Sequence, residues 1–488
     1  MTTAGAHALK WTRENDHFID GSWVASIGTE LLEVVDPATE EVWGTAPNGS
    51  REDVDAAVAA ARHAFDAGPW PRMRPAERAE ILRRMADEVE MRAEGLAATV
   101  TRENGQPVSE SAGGAANAAS ILRYFAGLAP LLEADDVRPA PAGGFESVVR
   151  RDPVGVCGLI APWNFPINLV VIKLAPALMA GCTVVIKPAQ TTPLSIRYIV
   201  EAATAAGVPA GVVNLVSGDG VTGDALVRHP DVDKIAFTGS TPVGRRIAAA
   251  CGELLRPVTL ELGGKSSAIV LPDADLDAMS SVLVRSCLRN SGQTCYISTR
   301  ILAPAERYDE VVDMVVRTIE ASPLGDPNDQ ATVFGPVASA AQFDIVNGFI
   351  ASAREEGATV ASGGGTRSPG FFIEPTVLAD VTPEMRVARE EIFGPVITIL
   401  KYTDEDEAVE LANNTPFGLG GIVFSSDPEH AQRVAERVDS GSVGINFFAS
   451  NHAAPFGGRH DSGMGVEYGP EGLAAYLTYK SIHRRPVG

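Results

Sequence analysis

Val154-Gly-Val-Cys-Gly-Leu-Ile160, followed by Ile167 to Ala180 and then by Thr183-Val-Val-Ile186, decides the fold of this chain. The first run is apolar and strand-like, the second is long enough for a helix, and the third is a β-branched run of the kind buried in sheets. The alternation continues: Pro193 to Ala206 reads as a helix, Val212 to Val216 as a strand and Gly223 to Arg228 as a short helix. Lys234 to Phe237 is a further strand and Thr241 to Cys251 a further helix. Strands separated by single helices at this spacing predict an α/β fold with a doubly wound parallel sheet.

Upstream, Phe18 to Val24 and Leu31 to Val35 are short strand-like runs. Ser50 and Asp53 form a capping box ahead of Val54, Ala57, Val58, Ala61 and Phe65, a helical stripe. A second helix is expected from Pro75 to Glu103, stopping at Asn104-Gly105, and a third from Gln106 to Leu128. Pro130 to Phe145 is rich in Pro, Ala and Gly and reads as an excursion or linker. Downstream, a second α/β series starts near Val258, with strands at Ala268 to Val270, Arg300 to Leu302 and Val396 to Tyr402. Helices at about Ala305 to Ala321 and Ser339 to Glu356 lie between them. The expected shape is two α/β lobes with a cleft between them. The tail from Gly469 is too short for a core of its own and is expected to dock on another element or subunit.

Several functions are disfavoured by the chain as a whole. A formal charge of −22 repels phosphate backbones and anionic membranes, so no nucleic-acid partner is expected. The opening MTTAGAHALKWTREND has no apolar core, so no signal peptide is expected. Leu169 to Ala180, the most apolar stretch, is interrupted by Lys173 and Pro176 and is too short to span a bilayer, so no membrane anchor is expected. Cys157, Cys182, Cys251, Cys287 and Cys295 are few, odd in number and not in CxxC pairs. That pattern argues against disulfides or a zinc site and suits a reducing cytoplasm.

Chemistry is carried by turns between strands and helices. Asn290-Ser-Gly-Gln-Thr-Cys295 puts a thiol after a Gly-containing turn, which can aim backbone N–H groups at a developing oxyanion; a buried cysteine beside a loop would look the same. Leu260-Glu-Leu-Gly-Gly-Lys-Ser266 places Glu261 among apolar residues, where a raised pKa would make it a general base, or else a strand-edge glutamate paired with a cation. Pro162-Trp-Asn-Phe-Pro166 holds Asn164 on a rigid turn, either as a donor to a substrate oxygen or as an ordinary turn residue. Phe237-Thr-Gly-Ser-Thr-Pro-Val-Gly244 lets backbone approach a pyrophosphate at a helix N-terminus, although many such turns bind nothing. Lys187-Pro-Ala-Gln190 ends a strand where an α/β ligand would lie; a solvated lysine is the alternative.

Taken together and in order, PWNFP, KPA, FTGSTxxG, LELGGKS, NSGQTC, Glu390-Glu-Ile-Phe-Gly-Pro395 and Pro455-Phe-Gly-Gly458 resemble the aldehyde dehydrogenase superfamily from about residue 18 to 482. The resemblance implies a Rossmann-like cofactor lobe at 1–126 and 147–258 and an α/β catalytic lobe at 259–461. It also implies oligomerisation segments at 127–146 and 462–488, with Pro130 to Phe145 as the bridging arm of a homodimer or homotetramer. It implies an oxidoreductase that uses NAD or NADP to turn an aldehyde into a carboxylic acid. Cys295 would be the nucleophile, Asn164 with the Cys295 backbone N–H the oxyanion donors, and Glu261 the base that activates water against a thioester. Lys173 and Glu467 would form a proton path behind Glu261. The cofactor would be met by Trp163, Lys187, Gln190, Gly239, Ser240, Gly244, Gln342, Glu391 and Phe393.

Gln190 stands where NAD-preferring relatives often carry Glu, which removes a charge that would repel a 2′-phosphate. Gly-Gly-Arg459-His460 replaces the family's usual basic lysine segment. Phe165, Asn168, Leu169, Ile172, Tyr296, Phe447 and Phe448 resemble tunnel-lining positions and include no cation. A neutral aliphatic, terpenoid or aromatic aldehyde is therefore the expected substrate. The competing readings are a semialdehyde-specific enzyme, a CoA-acylating enzyme, against which Glu261 argues, and a non-catalytic structural protein on the same scaffold.

Overall fold

The structure is a computed structural model and describes residues 13–485. Its first sheet runs, from one edge to the other, through Ser22–Ala25, Asp16–Ile19, Val213–Leu215, Thr183–Lys187, Val156–Ile160, Lys234–Thr238, Val258–Glu261 and Gly463–Met464. The five central strands are parallel, as expected of runs buried on both faces. The chain enters the parallel part at Val156–Ile160, steps outward through Thr183–Lys187 and Val213–Leu215, and then crosses back to Lys234–Thr238 on the other side. The reversal leaves a crevice at the carboxyl ends of Val156–Ile160 and Lys234–Thr238, where ligands of open α/β sheets bind.

The helix Pro166–Ala180 packs into the largest core; its Pro166 sits in the first turn, where a missing N–H costs nothing, and Gly181 ends it in the left-handed conformation. The second sheet has the order Thr359–Ser362, Thr376–Ala379, Val396–Tyr402, Arg300–Pro304, Ser267–Val270, Gly421–Phe424 and Gly444–Ile445, with apolar clusters on both faces.

Some expected elements are divided. The helix expected over Pro75 to Glu103 is two, Pro75–Met91 and Ala93–Asn104, because Arg92 leaves helical geometry; Gly105 then caps the second at φ +81°. The stretch Gln106 to Leu128 breaks at Gly113-Gly114 into Val108–Ser111 and Gly114–Gly127. The helix expected from Pro193 starts at Ile196, since the Leu194 and Ser195 N–H groups donate to the buried Glu103 carboxylate. The Pro130 to Phe145 linker is partly ordered: Asp136–Pro139 pairs with Glu146–Pro153, and the tail Leu477–Arg484 docks on the other side of that strand. The first residues, on which the signal-peptide expectation rests, lie outside the described residues. Among the described residues no helix is long and apolar enough to cross a membrane.

Candidate active site

Three loops meet at the crevice. Pro162-Trp-Asn-Phe165 leaves the strand Val156–Ile160, Gly239-Ser240 leaves Lys234–Thr238, and Asn290 to Cys295 arrives from the second lobe. The first and third are tied by amide hydrogen bonds. Asn164 Nδ2 donates to the Gln293 carbonyl at 2.9 Å and Asn290 Nδ2 donates back to the Asn164 carbonyl at 2.9 Å. Asn104 Nδ2 holds the Trp163 carbonyl at 2.7 Å. Asn290, Ser291 and Gly292 are all left-handed, at φ +52°, +52° and +76°, which turns the chain sharply enough to present the next residues to the crevice. Gly292 is obligatory, since a Cβ there would lie 1.9 Å from the Gly394 carbonyl oxygen.

Cys295 lies at the junction of two cavities. One, of about 360 Å³, is lined by Phe165, Asn168, Leu169, Ile172, Tyr296, Phe448 and Glu261 among others. The other, of about 240 Å³, is lined by Trp163, Gly239, Ser240, Gln342, Glu391 and Phe393. Among the described residues only Cys295, Asn164 and Thr238 belong to the walls of both. Burial pushes the Cys295 thiol up, with the Glu391 and Glu261 carboxylates adding to the shift, so the thiol is neutral until a base acts on it.

Glu261 ends the strand Val258–Glu261, is 3% exposed, and has no hydrogen-bond partner on either carboxylate oxygen among the described residues. Burial raises its pKa well above the carboxylate range; the charge of Glu467 raises it further and Lys173 opposes. Lys173 donates from Nζ to Glu467 Oε1 at 2.6 Å and to Thr238 Oγ1 at 2.5 Å, wholly out of water. A lone buried carboxyl beside a thiol, backed by an ion pair, is suited to proton transfer rather than to holding the fold.

In the second cavity Glu391 accepts the Gly264 N–H at 3.0 Å, and burial pushes its pKa up to about 7. Trp163 and Phe393 meet edge to face at 5.3 Å. The Gln342 amide donates to the Ile392 and Phe393 carbonyls, so this side chain braces the Glu391 loop as well as lining the cavity. Lys187, Gln190 and Gly244 lie outside this cavity. Lys187 sits at the carboxyl end of its strand, paired with Ile160 in register; it donates to the Pro188 carbonyl at 2.8 Å, and burial lowers its pKa to about 8. Gln190 is exposed on the following loop, and Gly244 lets its helix close on Leu262, which a Cβ would meet at 2.4 Å.

One sequence expectation is corrected. Phe447 does not line the tunnel: it is 61% exposed, because the neighbouring Phe448 turns inward to stack on Tyr296 at 4.8 Å. The wall also extends beyond the cation-free positions named from sequence, since Arg285 and Arg289 line the larger cavity together with Glu110. Arg289 directly precedes Asn290-Ser-Gly-Gln-Thr-Cys295, a proximity that could have flagged it; Glu110, from a distant short helix, left no such signal. Arg459 and His460 both bind Asp439 at the surface, at 2.7 Å each. No cluster of His, Cys, Asp or Glu able to hold a metal occurs among the described residues.

The profile of the "Aldehyde dehydrogenase family" matches residues 23–482. The chain is 50% identical to geranial dehydrogenase from Castellaniella defragrans, covering 97% of this chain and 99% of the relative, and 39% identical to chloroplastic betaine aldehyde dehydrogenase from Beta vulgaris, covering 95% of each. Among solved structures it is similar to the Mycobacterium tuberculosis aldehyde dehydrogenase complexed with NAD+, with a TM-score of 0.93, 43% identity and coverage of 96% of this chain and 98% of the other. It is also similar to a mutant of aldehyde dehydrogenase C from Pseudomonas syringae complexed with NAD+ and octanal, with a TM-score of 0.92, 40% identity and coverage of 96% of each.

Proposed function

The chain belongs to the aldehyde dehydrogenase family, and from that premise we propose that it oxidises an uncharged terpenoid, aliphatic or aromatic aldehyde to its acid through a thioester on Cys295. It is an NAD- or NADP-dependent enzyme. The observation that carries the mechanism is the placement of Cys295 in the walls of both cavities, with Glu261 in the wall of the larger one. The mainly apolar tunnel residues and the 50% identity to a geranial dehydrogenase support the substrate class.

The residues around the smaller cavity fit a nicotinamide dinucleotide. Gly239 and Gly263 leave backbone bare where a Cβ would strike Phe237 or Glu391, and Glu391 offers a carboxylate suited to ribose hydroxyls. Trp163, Ser240, Glu391 and Phe393 would hold that group, with Lys187 and Gln190 further along the same edge of the sheet. When bound, it supplies a hydride acceptor, which lets a thiohemiacetal on Cys295 become a thioester.

The chain's own groups do the rest. Glu261, once ionised, takes the Cys295 thiol proton; Sγ then bonds to the aldehyde carbon, the carbonyl π bond opens, and the oxygen takes up the negative charge. Asn164 spends one amide hydrogen on Gln293 and keeps its second for that oxygen, together with the Cys295 backbone N–H. Glu261, ionised again, takes a proton from the water that attacks the thioester, the C–S bond breaks, and Cys295 leaves as the thiolate while the acid forms. The buried Lys173–Glu467 pair behind Glu261 is the path by which that proton leaves. Residues 1–126 and 147–258 form the cofactor-binding domain, which also lends Asn164 and Lys173 to the chemistry, and 259–461 form the catalytic domain. Segments 127–146 and 462–488 carry exposed apolar side chains, Val137, Tyr479 and Ile482, for contact with further copies in a dimer or tetramer. Five free cysteines suit a cytoplasmic setting.

The test is a panel of aldehydes with NAD and NADP side by side, without CoA. NADH or NADPH formation with neutral aldehydes is expected; a requirement for CoA would sink the hydrolytic reading.

A further inference from the structure

We propose that Glu110 selects the charge of the substrate, by neutralising Arg289 in the tunnel wall so that aldehydes bearing a carboxylate are refused. The inference rests on the aldehyde-oxidising reading above and concerns what that same tunnel admits.

Arg289 reaches the larger cavity from the turn after the helix Leu276–Cys287, and Glu110 comes from Val108–Ser111. The Arg289 Nε donates to Glu110 Oε1, and Nη1 donates to the Tyr296 hydroxyl at 2.7 Å. The guanidinium lies 4.8 Å from the centre of the Phe165 ring. Glu110, Arg289, Tyr296 and Phe165 all line the cavity. The ion pair is partly withdrawn from water, with side chains 32% and 23% exposed, so its charges are felt across the tunnel more strongly than those of an open surface pair.

An arginine in a tunnel wall is ordinarily a fork that grips a carboxylate. Here one edge of the fork is filled by the protein's own carboxylate and the pair sums to zero, while Arg285, the other arginine of this wall, is exposed and screened by solvent. A substrate carboxylate therefore meets Glu110 as well as Arg289, and would have to displace the former to reach the latter. The other two supports of the guanidinium, the Tyr296 hydroxyl and the Phe165 ring, do not depend on Glu110. Removing the charge of Glu110 alone thus leaves a cation held in place and open to a new anion.

The experiment compares a straight-chain aldehyde with its counterpart of equal length ending in a carboxylate. The ratio of kcat/KM for the two is measured in the parent, Glu110→Gln, Arg289→Met and the double variant, at low and high salt, with thermal unfolding as a check on folding. The parent is expected to favour the neutral aldehyde. Glu110→Gln should move the ratio toward the carboxylate by about 10- to 100-fold, mainly through KM and less at high salt, the size of a single charge-assisted hydrogen bond to the substrate. The double variant should lose that advantage. Arg289→Met, which leaves Glu110 unbalanced, should move the ratio the opposite way; if Glu110→Gln does not fold, Glu110→Asp, which draws the carboxylate back from Arg289 by one methylene, decides the matter by a smaller shift toward the carboxylate. An unchanged ratio in folded Glu110→Gln, or an equal shift in the double variant, overturns the role of Glu110 alone. A parent that oxidises neither aldehyde overturns the aldehyde-oxidising reading itself, and this inference with it.

Discussion

Lys173 donates from Nζ to Glu467 Oε1 across 2.6 Å, and this buried pair acts on the Glu261 carboxyl with two opposed charges. Glu467 raises the Glu261 pKa and Lys173 lowers it, so each partner is a handle on the proposed base.

The pH dependence follows. In the proposed mechanism Glu261 works as a carboxylate, so thioester hydrolysis should rise with pH through a pKa well above the carboxylate range. Glu467→Gln leaves Lys173 unopposed and should move that limb to lower pH; Lys173→Met should move it to higher pH. Lys173→Met should also cost about 3–5 kcal/mol of stability, because it strands a buried charge. The folded state prefers Glu261 protonated, so the stability tied to this group is present at low pH and is lost as pH rises through its raised pKa. Rapid-mixing measurements of the steady state against pH, with chemical denaturation of each variant, check both parts. Limbs that do not move would mean that the pair does not sense the base.

Glu261→Gln should stop the reaction after reduction of the cofactor. A burst of NADH near one equivalent, followed by turnover slowed about 10²- to 10⁴-fold, is the expected trace. Unchanged steady-state turnover would place the base elsewhere.

Cys295→Ala should abolish dehydrogenase and esterase activity while cofactor binding persists, because only the nucleophile is removed from a wall shared by both cavities. Ser or Ala at Cys157, Cys182, Cys251 or Cys287, all buried, should leave activity in place. Turnover of the Cys295 variant within about tenfold of the parent would exclude the thioester route.

Cofactor choice should respond to Lys187 and to position 190. Gln190→Glu is expected to favour NAD over NADP by about 1–3 kcal/mol in the ratio of kcat/KM, the size of one partly solvated charge interaction. Lys187, lowered to about 8 by burial, is charged at neutral pH and loses its charge as pH rises through that value. NADP use should therefore fall relative to NAD above about pH 8. A flat ratio in both experiments would mean that this edge of the sheet does not face the ribose.

Gly292→Ala should unfold the nucleophile loop. Its added methyl would strike the Gly394 carbonyl and sit at φ +76°, so both activity and melting temperature should drop, whereas Gly348→Ala, which meets nothing within 4 Å, should be tolerated. Equal behaviour of the two variants would count against the strained turn.

The local chain determined a great deal about this protein. Buried β-branched runs alternating with helices can satisfy their backbone and their apolar faces only as a covered parallel sheet, so the parallel sheet between Val156 and Glu261 was implicit in periodicity, though not its strand order. The chemistry-bearing turns were legible for the same reason, since a short turn at a strand's carboxyl end needs particular residues, as Gly292 does, whatever packs around it. Contacts between residues far apart in sequence were another matter. Whether Phe447 or Phe448 faces the tunnel depends on which ring finds Tyr296, and that partner comes from another element. The helix expected from Pro193 is shortened by Glu103, some ninety positions away. Arg289 reads in sequence as one more cation in an acidic chain, and only folding sets Glu110 against it, from 179 residues earlier. Propensity and turn chemistry act over a few residues and are written in the local chain; charge pairing and ring stacking act through space, so the polarity of the tunnel was decided by tertiary structure alone.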